Sequence, residues 1–241
     1  MTYTYKYRVD SHGTDINGNA SVTAVMQYIQ ETANLQHEEY GPTMPQLRAE
    51  GKAFVLSRCA LDIMLPLRAQ DTVSVETWLT EAHGYGVARN SVLYLGDEPA
   101  AKMTALWGVI DIPTRKPLRA DEIKLGFGTD GRSLEVSSPL RFRIPPPSPS
   151  EPPIALLGRH KVVYSDCDEN LHLNNTRYAA VFCDLLPDMR GKRATGFSIN
   201  YRVEARLGTE FDVFSSETES GHYFRTVFPD GTVGTEAILT F

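Results

Sequence analysis

The chain of 241 residues carries 24 Lys and Arg against 30 Asp and Glu, a formal charge of −6, with 41% hydrophobic and 22% charged residues. That balance describes a globular chain able to bury a substantial core as one large or two small domains, and its acidity excludes general nucleic-acid binding. No apolar run reaches membrane-spanning length, and three cysteines (Cys59, Cys167 and Cys183) cannot pair completely, which favours reduced thiols and a cytoplasmic setting.

The first eight residues lack the apolar region of a signal peptide. Instead Tyr3, Tyr5, Tyr7 and Val9 alternate with polar residues and predict a half-buried strand. A polar turn from Asp10 to Asn19 follows. Ser21 is placed to cap a helix in which Val22, Val25, Met26, Ile29 and Ala33 recur at helical spacing, ending near Tyr40-Gly41. A short helix is expected from Pro45 through Leu47 to Glu50. Strand character then runs over Phe54 to Met64, Thr72 to Thr80, Gly86 to Leu95 and Ala101 to Ile112, an antiparallel meander punctuated by glycine-containing turns. Arg115 to Leu140 has no clear periodicity. Six prolines between Ile144 and Pro153 exclude helix and central strand, and predict a stiff, extended linker.

Beyond the linker the order of elements begins again. A strand is expected from His160 to Tyr164, a helix from Thr176 to Leu186 closed by Pro187, and strands at Thr195 to Ala205, Glu210 to Glu217, Tyr223 to Phe228 and Thr232 to Thr240. L-D-I-M-L-P-L-R (Leu61 to Arg68) falls on I-N-Y-R-V-E-A-R (Ile199 to Arg206) without a gap, and D-I-N-G-N-A-S falls on D-E-N-L-H-L-N within about two residues of register. An internal duplication of a strand–helix–four-strand unit is the economical reading. Each helix must then bury its apolar stripe against an antiparallel sheet, giving an α+β fold, and two sheets joined side by side would make a pseudo-dimer.

Between the second unit's first strand and helix lies Y-S-D-C-D-E-N-L-H-L-N-N-T-R-Y (Tyr164 to Tyr178), too polar to fold cheaply without a purpose. Asp168, Asn170, His172 and Asn174 occupy alternate positions and share one face if the segment is extended. A carboxylate, an amide and an imidazole together can orient and move protons around one reacting group. Asn175 or Thr176 is placed to cap the helix, whose first N–H groups near Asn174 to Thr176 suit a developing negative charge, as in acyl-group hydrolysis. Turn-and-cap residues read the same way without chemistry. A calcium loop fails because its sixth and twelfth positions are Leu171 and Arg177. A single histidine among carboxylates makes no zinc site, so neither metal nor cofactor is expected. Cys167 alternates away from the Asp168 face and makes a poor nucleophile.

The D-x-N-x-H-x-N-N run ahead of an apolar helix resembles the catalytic motif of the acyl-acyl carrier protein (acyl-ACP) thioesterases. The likeness extends to I-N-Y-R-V-E-A at Ile199 to Ala205, with Glu204 at the acidic position, and to Asp15–Ser21 with Met26 and Gln30–Ala33. Ala205 stands where a cysteine often follows that glutamate in plant members, so the carboxylates must carry the chemistry. The resemblance implies a tandem hot-dog fold, each unit an antiparallel sheet wrapped around one long helix. The units would span 1–143, with the acyl-chain pocket, and 156–241, with the catalytic motif, around a linker at 144–155. It implies catalysis by Asp168, Asn170, His172 and Glu204, substrate contacts from Asn174 and Asn175, and a chain-length pocket with Val25, Met26 and Ile29 as candidates. The implied partner is acyl carrier protein with its acylated 4'-phosphopantetheine arm, docked on Arg190, Lys192 and Arg193 or on Arg159 and Lys161. Homodimerisation is left open, and a bacterial cytoplasmic form fits better than a plant precursor. An ion pair of Glu204 with Arg202 and Arg206, an acyl-coenzyme A thioesterase, a hot-dog dehydratase and a non-catalytic acyl-binding module are the competing readings.

Overall fold

The computed structural model describes residues 1–120, 123, 125–142 and 154–241. The stretch expected to be the proline-rich linker lies outside these residues, apart from its last two positions. Strand β1 (Thr2–Arg8) precedes helices α1 (Val22–Tyr40) and α2 (Met44–Ala49). Four longer strands follow, β2 (Lys52–Ile63), β3 (Thr72–Leu79), β4 (Gly86–Leu95) and β5 (Glu98–Asp111), then a two-residue β6 (Pro117–Leu118). The second half repeats the order with β7 (Ala155–Lys161), α3 (Tyr178–Leu185), β8 (Gly196–Tyr201), β9 (Glu210–Thr218), β10 (Gly221–Val227) and β11 (Val233–Thr240).

All strand pairings among the described residues are antiparallel and build one sheet in the order β1-β3-β4-β5-β2-β8-β11-β10-β9-β7, with β6 appended to β5. Read from the centre outward, the two halves have the same strand order. They join where β2 pairs with β8, in the register Cys59↔Ile199, Ala60↔Ser198 and Leu61↔Phe197. That register is symmetric about Ala60/Ser198, residues that correspond when the gapless match of Leu61–Arg68 with Ile199–Arg206 is extended by one position. The duplication is therefore written in the hydrogen bonds as well as in the sequence.

Alternation along each strand sorts the residues. Val73, Val75, Leu93, Cys59, Leu61, Phe197, Ile199, Phe224, Ala237 and Leu239 face the helices and are essentially fully buried. The apolar face of α1, with Val22, Val25, Met26 and Ile29, closes this core from above. Ser21 caps α1 by accepting the Ala24 N–H at 3.1 Å, as its position predicts. The opposite face of the sheet is crossed by the segment that showed no periodicity. Arg132 stacks on Trp78 at 4.4 Å, and the Ser137 and Ser138 N–H groups donate to the Asp62 carboxylate at 2.6 and 2.8 Å. A strap lying across a sheet needs anchors rather than a repeat, which is why no period appears.

Four details depart from the expectation. Strand β7 runs over Ala155–Lys161, five residues ahead of the expected start at His160, and Tyr164 already belongs to a 3-10 turn. The second helix is short: Asn175–Arg177 form a 3-10 turn, and only Tyr178–Leu185 are α-helical, so one long helix per unit holds for the first half alone. The capping side chain is Asn174, at the head of the 3-10 turn, whose Oδ1 accepts the Thr176 N–H at 2.9 Å, rather than Asn175 or Thr176; the α-helix itself starts after Arg177 without a side-chain cap. Strand β8 stops at Tyr201, so Arg202 to Ala205 lie outside it. The Arg202 and Val203 N–H groups turn to the Gly234 carbonyl, at 2.9 and 3.1 Å.

Phe182 on α3 is fully buried, stacked on Phe224 at 4.6 Å and tilted against Phe197 at 6.4 Å. Phe182→Ala should lower unfolding free energy by about 3 kcal/mol or more, read as a lower urea midpoint at unchanged slope.

Candidate active site

The polar stretch is a compact loop, not an extended segment. Asp166 is buried at its root, where its carboxylate accepts the Val163 N–H at 3.0 Å and His160 Nε2 at 2.8 Å, with Arg177 at 3.6 Å. Burial pushes its carboxyl upward, but these hydrogen bonds and charges prevail and hold it below the usual carboxylate range. Cys167 pairs with Leu173 in an antiparallel bridge, so residues 168–172 form a tight excursion between them. Within it Asp168 Oδ1 accepts the Asn170 N–H at 2.9 Å and Oδ2 accepts Asn174 Nδ2 at 3.1 Å. Asp168, Asn170, His172 and Asn174 are thus gathered by a turn that Asp168 braces, rather than by the alternation of a strand.

The Asp10–Asn19 turn of the first half has the same skeleton and settles the register left open above. The Thr14↔Ala20 bridge matches Cys167↔Leu173, and Ala20 N–H to Leu67 O at 2.7 Å matches Leu173 N–H to Ala205 O at 2.8 Å. Asp15, Asn17 and Asn19 therefore correspond to Asp168, Asn170 and His172, and Pro66 to Glu204. Gly18, at φ 71°, corresponds to Leu171, at φ 60°. A leucine in this left-handed conformation is strained, and its side chain is 64% exposed. In the first-half loop Asn17 is tied down by the 189–192 segment: its Nδ2 donates to Met189 O and Lys192 O, and its Oδ1 accepts the Gly191 N–H. The equivalent Asn170 instead accepts from Arg48 of α2 at 2.9 Å.

Asp168, Asn170, His172, Asn174, Asn175 and Glu204 all line a cavity of about 1750 Å³. The first half supplies much of its wall: α1 from Gln27 to Glu38, α2, the start of β2, and Val87, Arg89 and Trp107 of the sheet. Both oxygens of Glu204 lie 2.8 Å from the Arg115 guanidinium, contributed by the turn after β5, while Arg206 stands off at 4.0 Å. Arg202 pairs with Glu236. The competing ion-pair reading of Glu204 holds for Arg206 alone, and loosely; Arg202 is turned away to Glu236, because the strand has already ended. A second cavity of about 850 Å³ lies at the Asp15 loop, with Pro66, Cys183 and Asp184 in its wall.

The other residues singled out in the sequence are placed as follows. Val25 lines the smaller cavity, whereas Met26 and Ile29 pack in the core and line neither. The side of α1 that faces the larger cavity is its polar one, with Gln27, Gln30, Asn34 and His37. Of the three N–H groups expected to meet a developing anion, Asn174 N–H is given to Asp166 O and Thr176 N–H to Asn174 Oδ1. That of Asn175 has no acceptor among the described residues, and its carbonyl is held by the Tyr201 hydroxyl at 2.7 Å. The Cys167 thiol is pushed up by burial and by the Asp166 and Asp168 charges, the wrong direction for a nucleophile. No group of three or more metal-ligating side chains occurs among the described residues. Arg48, Arg115 and Arg89 were missed by sequence reasoning. Only Arg89 left a signal, as a charge at an inward position of a strand.

A duplicated α+β sheet, with a polar cavity built by both halves and lined by His172, Asp168 and Glu204, defines the class of this protein. The acyl-ACP thioesterase N-terminal domain matches residues 1–124 and the C-terminal domain matches residues 155–238. The chain belongs to the acyl-ACP thioesterase family. It is 20% identical over 221 residues to the chloroplastic acyl-[acyl-carrier-protein] hydrolase FATB3 of Cuphea viscosissima; that match covers 86% of this chain but about half, 52%, of the relative. Its fold is like that of an acyl-ACP thioesterase crystal structure from Bacteroides thetaiotaomicron (TM-score 0.83, 21% identity, covering 100% of this chain and 97% of the other). It is also like the 12:0-ACP thioesterase of Umbellularia californica (TM-score 0.77, 17% identity, 99% and 96% covered).

Two outcomes are expected. Leu171→Gly removes the strain of a side chain at φ 60° and should stabilise the protein by up to about 1 kcal/mol, measured by urea unfolding. His37, on the cavity wall, has its pKa lowered to about 4 by burial and by the Arg89 charge. The unfolded chain therefore binds the proton first, and stability should fall by about 2–3 kcal/mol as pH drops from about 6.5 to about 4. His37→Gln should flatten that slope.

Proposed function

We propose that this protein hydrolyses the thioester of a fatty acyl chain on acyl carrier protein, releasing the fatty acid and ending its synthesis. The observation that carries the reading is the convergence of the second-half loop, Glu204 and the first half's helices on one large cavity. The finer architecture we infer is a tandem hot-dog: a first unit over 1–143 that houses the acyl chain and a second over 156–241 that bears the chemistry. Support comes from the repeated strand order, the symmetric seam and the matched turns.

In the proposed reaction Glu204 takes a proton from water whose oxygen attacks the thioester carbon. The carbonyl oxygen, gaining charge, meets the Asn175 N–H, a preorganised donor. When the carbon–sulfur bond breaks, the leaving sulfur receives a proton through His172. Asp168 keeps its oxygens in the loop's own hydrogen bonds, which suits a brace better than a nucleophile. Asn170, held by Arg48, fixes the loop against α2.

The cavity wall also favours a particular dock. Leu171, Val203 and Leu207 are exposed on it, and Arg48, Arg115, Arg202 and Arg206 line the same cavity. Exposed apolar side chains on a wall that also carries arginines fit an acidic partner with an apolar face. Of the basic groups favoured by sequence, Arg159 is engaged by Asp212, much as Arg48, Arg115 and Arg202 are engaged by Glu169, Glu204 and Glu236, and Arg190 and Arg193 line the smaller cavity. The inferred dock is the arginine-bearing wall of the larger cavity because it lies beside the candidate site.

Glu204→Gln and His172→Ala should each lower turnover of acyl-ACP by at least ~100-fold, about 2.7 kcal/mol of barrier, with circular dichroism unchanged. Near-normal turnover of the Gln variant would return Glu204 to a structural ion pair with Arg115. Asp15→Ala, in the first-half loop, should leave the rate within a few fold of wild type. Arg206→Glu, at a side chain 73% exposed, should raise KM for acyl-ACP several-fold and leave a small thioester unaffected. If acyl-coenzyme A and acyl-ACP are hydrolysed alike, the carrier assignment is lost while the thioesterase assignment stands.

A further inference from the structure

A buried cation lines the larger cavity. Arg89 of β4 is 5% exposed, with Leu79 of β3 and Ala105 of β5 as its cross-strand neighbours. Its guanidinium donates to Gln36 Oε1 at 2.7 Å, to Thr77 Oγ1 at 3.3 Å and to His37 Nε2 at 3.3 Å, and lies 5.8 Å from the Phe127 ring centre. The histidine tautomer follows from its other side: Nδ1 faces the Pro42 carbonyl at 3.1 Å and must donate, which leaves Nε2 as acceptor. All three acceptors are neutral, and Arg89 makes no ion pair with a carboxylate among the described residues. Holding an uncompensated charge in the interior is costly.

The uncommitted polar groups nearby are also donors. Trp107 lies on the cavity wall one rung along from Arg89, since Val87 pairs with Trp107 and Arg89 with Ala105. Its buried Nε1 has no acceptor among the described residues, and neither has Gln36 Nε2. A tether between α1 and the sheet would need only neutral hydrogen bonds. Here the tether is a cation, its surroundings hold surplus donors, and Arg89 and Trp107 face the cavity. An apolar methyl end pushed against such a floor gains no contact that offsets covering the charge, whereas an oxygen acceptor satisfies it.

We propose that Arg89, backed by Gln36 and flanked by Trp107, forms a donor-lined floor in the acyl cavity that rejects the methyl end of a long chain and accepts a chain ending in a hydroxyl. This rests on the acyl-thioesterase reading and adds the chemical class of chain the site prefers. The test offers wild-type enzyme saturated acyl-ACPs of rising even length, each with a methyl and with a terminal hydroxyl. Beyond some length the hydroxyl-ended chain should be favoured by at least ~10-fold in kcat/KM. Arg89→Met should abolish that advantage and extend the methyl series to longer chains. The wild-type comparison needs no variant and stands if Arg89→Met folds poorly. Equal kcat/KM for the two endings at every length would overturn the proposal. Should no acyl-ACP be hydrolysed, the enzymatic reading fails by itself. Calorimetry with free long-chain fatty acids, with and without the terminal hydroxyl, then decides the floor: tighter binding of the hydroxyl form to wild type but not to Arg89→Met supports it, and equal binding refutes it.

Discussion

The pairing of β2 with β8 is the constraint from which the rest of the architecture follows. Five residues on each side, Arg58 to Asp62 against Gly196 to Asn200, align through Ala60/Ser198. Cys59, Ala60, Leu61, Phe197, Ser198 and Ile199 are all at 1% exposure or less. A one-residue slip would turn Leu61 and Phe197 out of the core, so the register is fixed by burial. Once it is fixed, each half's helix lies over the seam beside the other half's loop. Thr23 of α1 donates to the Thr176 carbonyl at 3.1 Å, Arg48 of α2 reaches Glu169 and Asn170, and Arg115 reaches Glu204. The candidate site is a junction, and neither half contains it alone.

The two loops show how a duplicated frame diverges. Most of their backbone hydrogen bonds correspond, from Val9 N–H to Asp71 O against Val162 N–H to Thr209 O, to the bridges Thr14↔Ala20 and Cys167↔Leu173 that close each turn. Main-chain groups buried at a seam must be satisfied whatever the side chains do, so this frame persists in both halves. The side chains are free of that demand. Asn19 replaces the imidazole of His172, Pro66 replaces the carboxylate of Glu204, and Asn17 is spent on the 189–192 segment. Polarity survives in the first-half loop because the turn needs it, while the groups that could move a proton do not.

Much of this was legible in the sequence. Period-two and period-3.6 patterns located α1 and most of the long strands within one or two residues, while β5 begins three residues and β7 five residues before the expected start; the gapless strand match showed the duplication but not which strands join the halves. The failures have physical causes. Glu204 was read as a strand residue because alternation continues past Tyr201, but the chain there turns its N–H groups to Gly234, and hydropathy does not record such a departure. Met26 and Ile29 were assigned to a chain pocket because apolar helix faces usually line one, yet that face of α1 is consumed by the core, and the cavity runs along the polar side. Arg115 and Arg48 could not be found from local pattern, since each acts on residues about ninety or more positions away.

The charge distribution sets how such a junction would be approached. With a net charge of −6, the whole chain repels an acidic partner at distances where its charges act as a sum. That repulsion fades beyond a Debye length of about 8 Å at physiological salt. Inside that range the partner would meet the arginines of the cavity wall, two of them already turned toward Glu169 and Glu204. Those pairs are partly exposed and individually weak, so an incoming acidic group could exchange for them at little cost. Short-range attraction set against long-range repulsion favours a partner that presents both acid and apolar surface in register with that wall. Acidity alone would gain little, and the selectivity of the mouth would rest on shape and placement more than on overall charge.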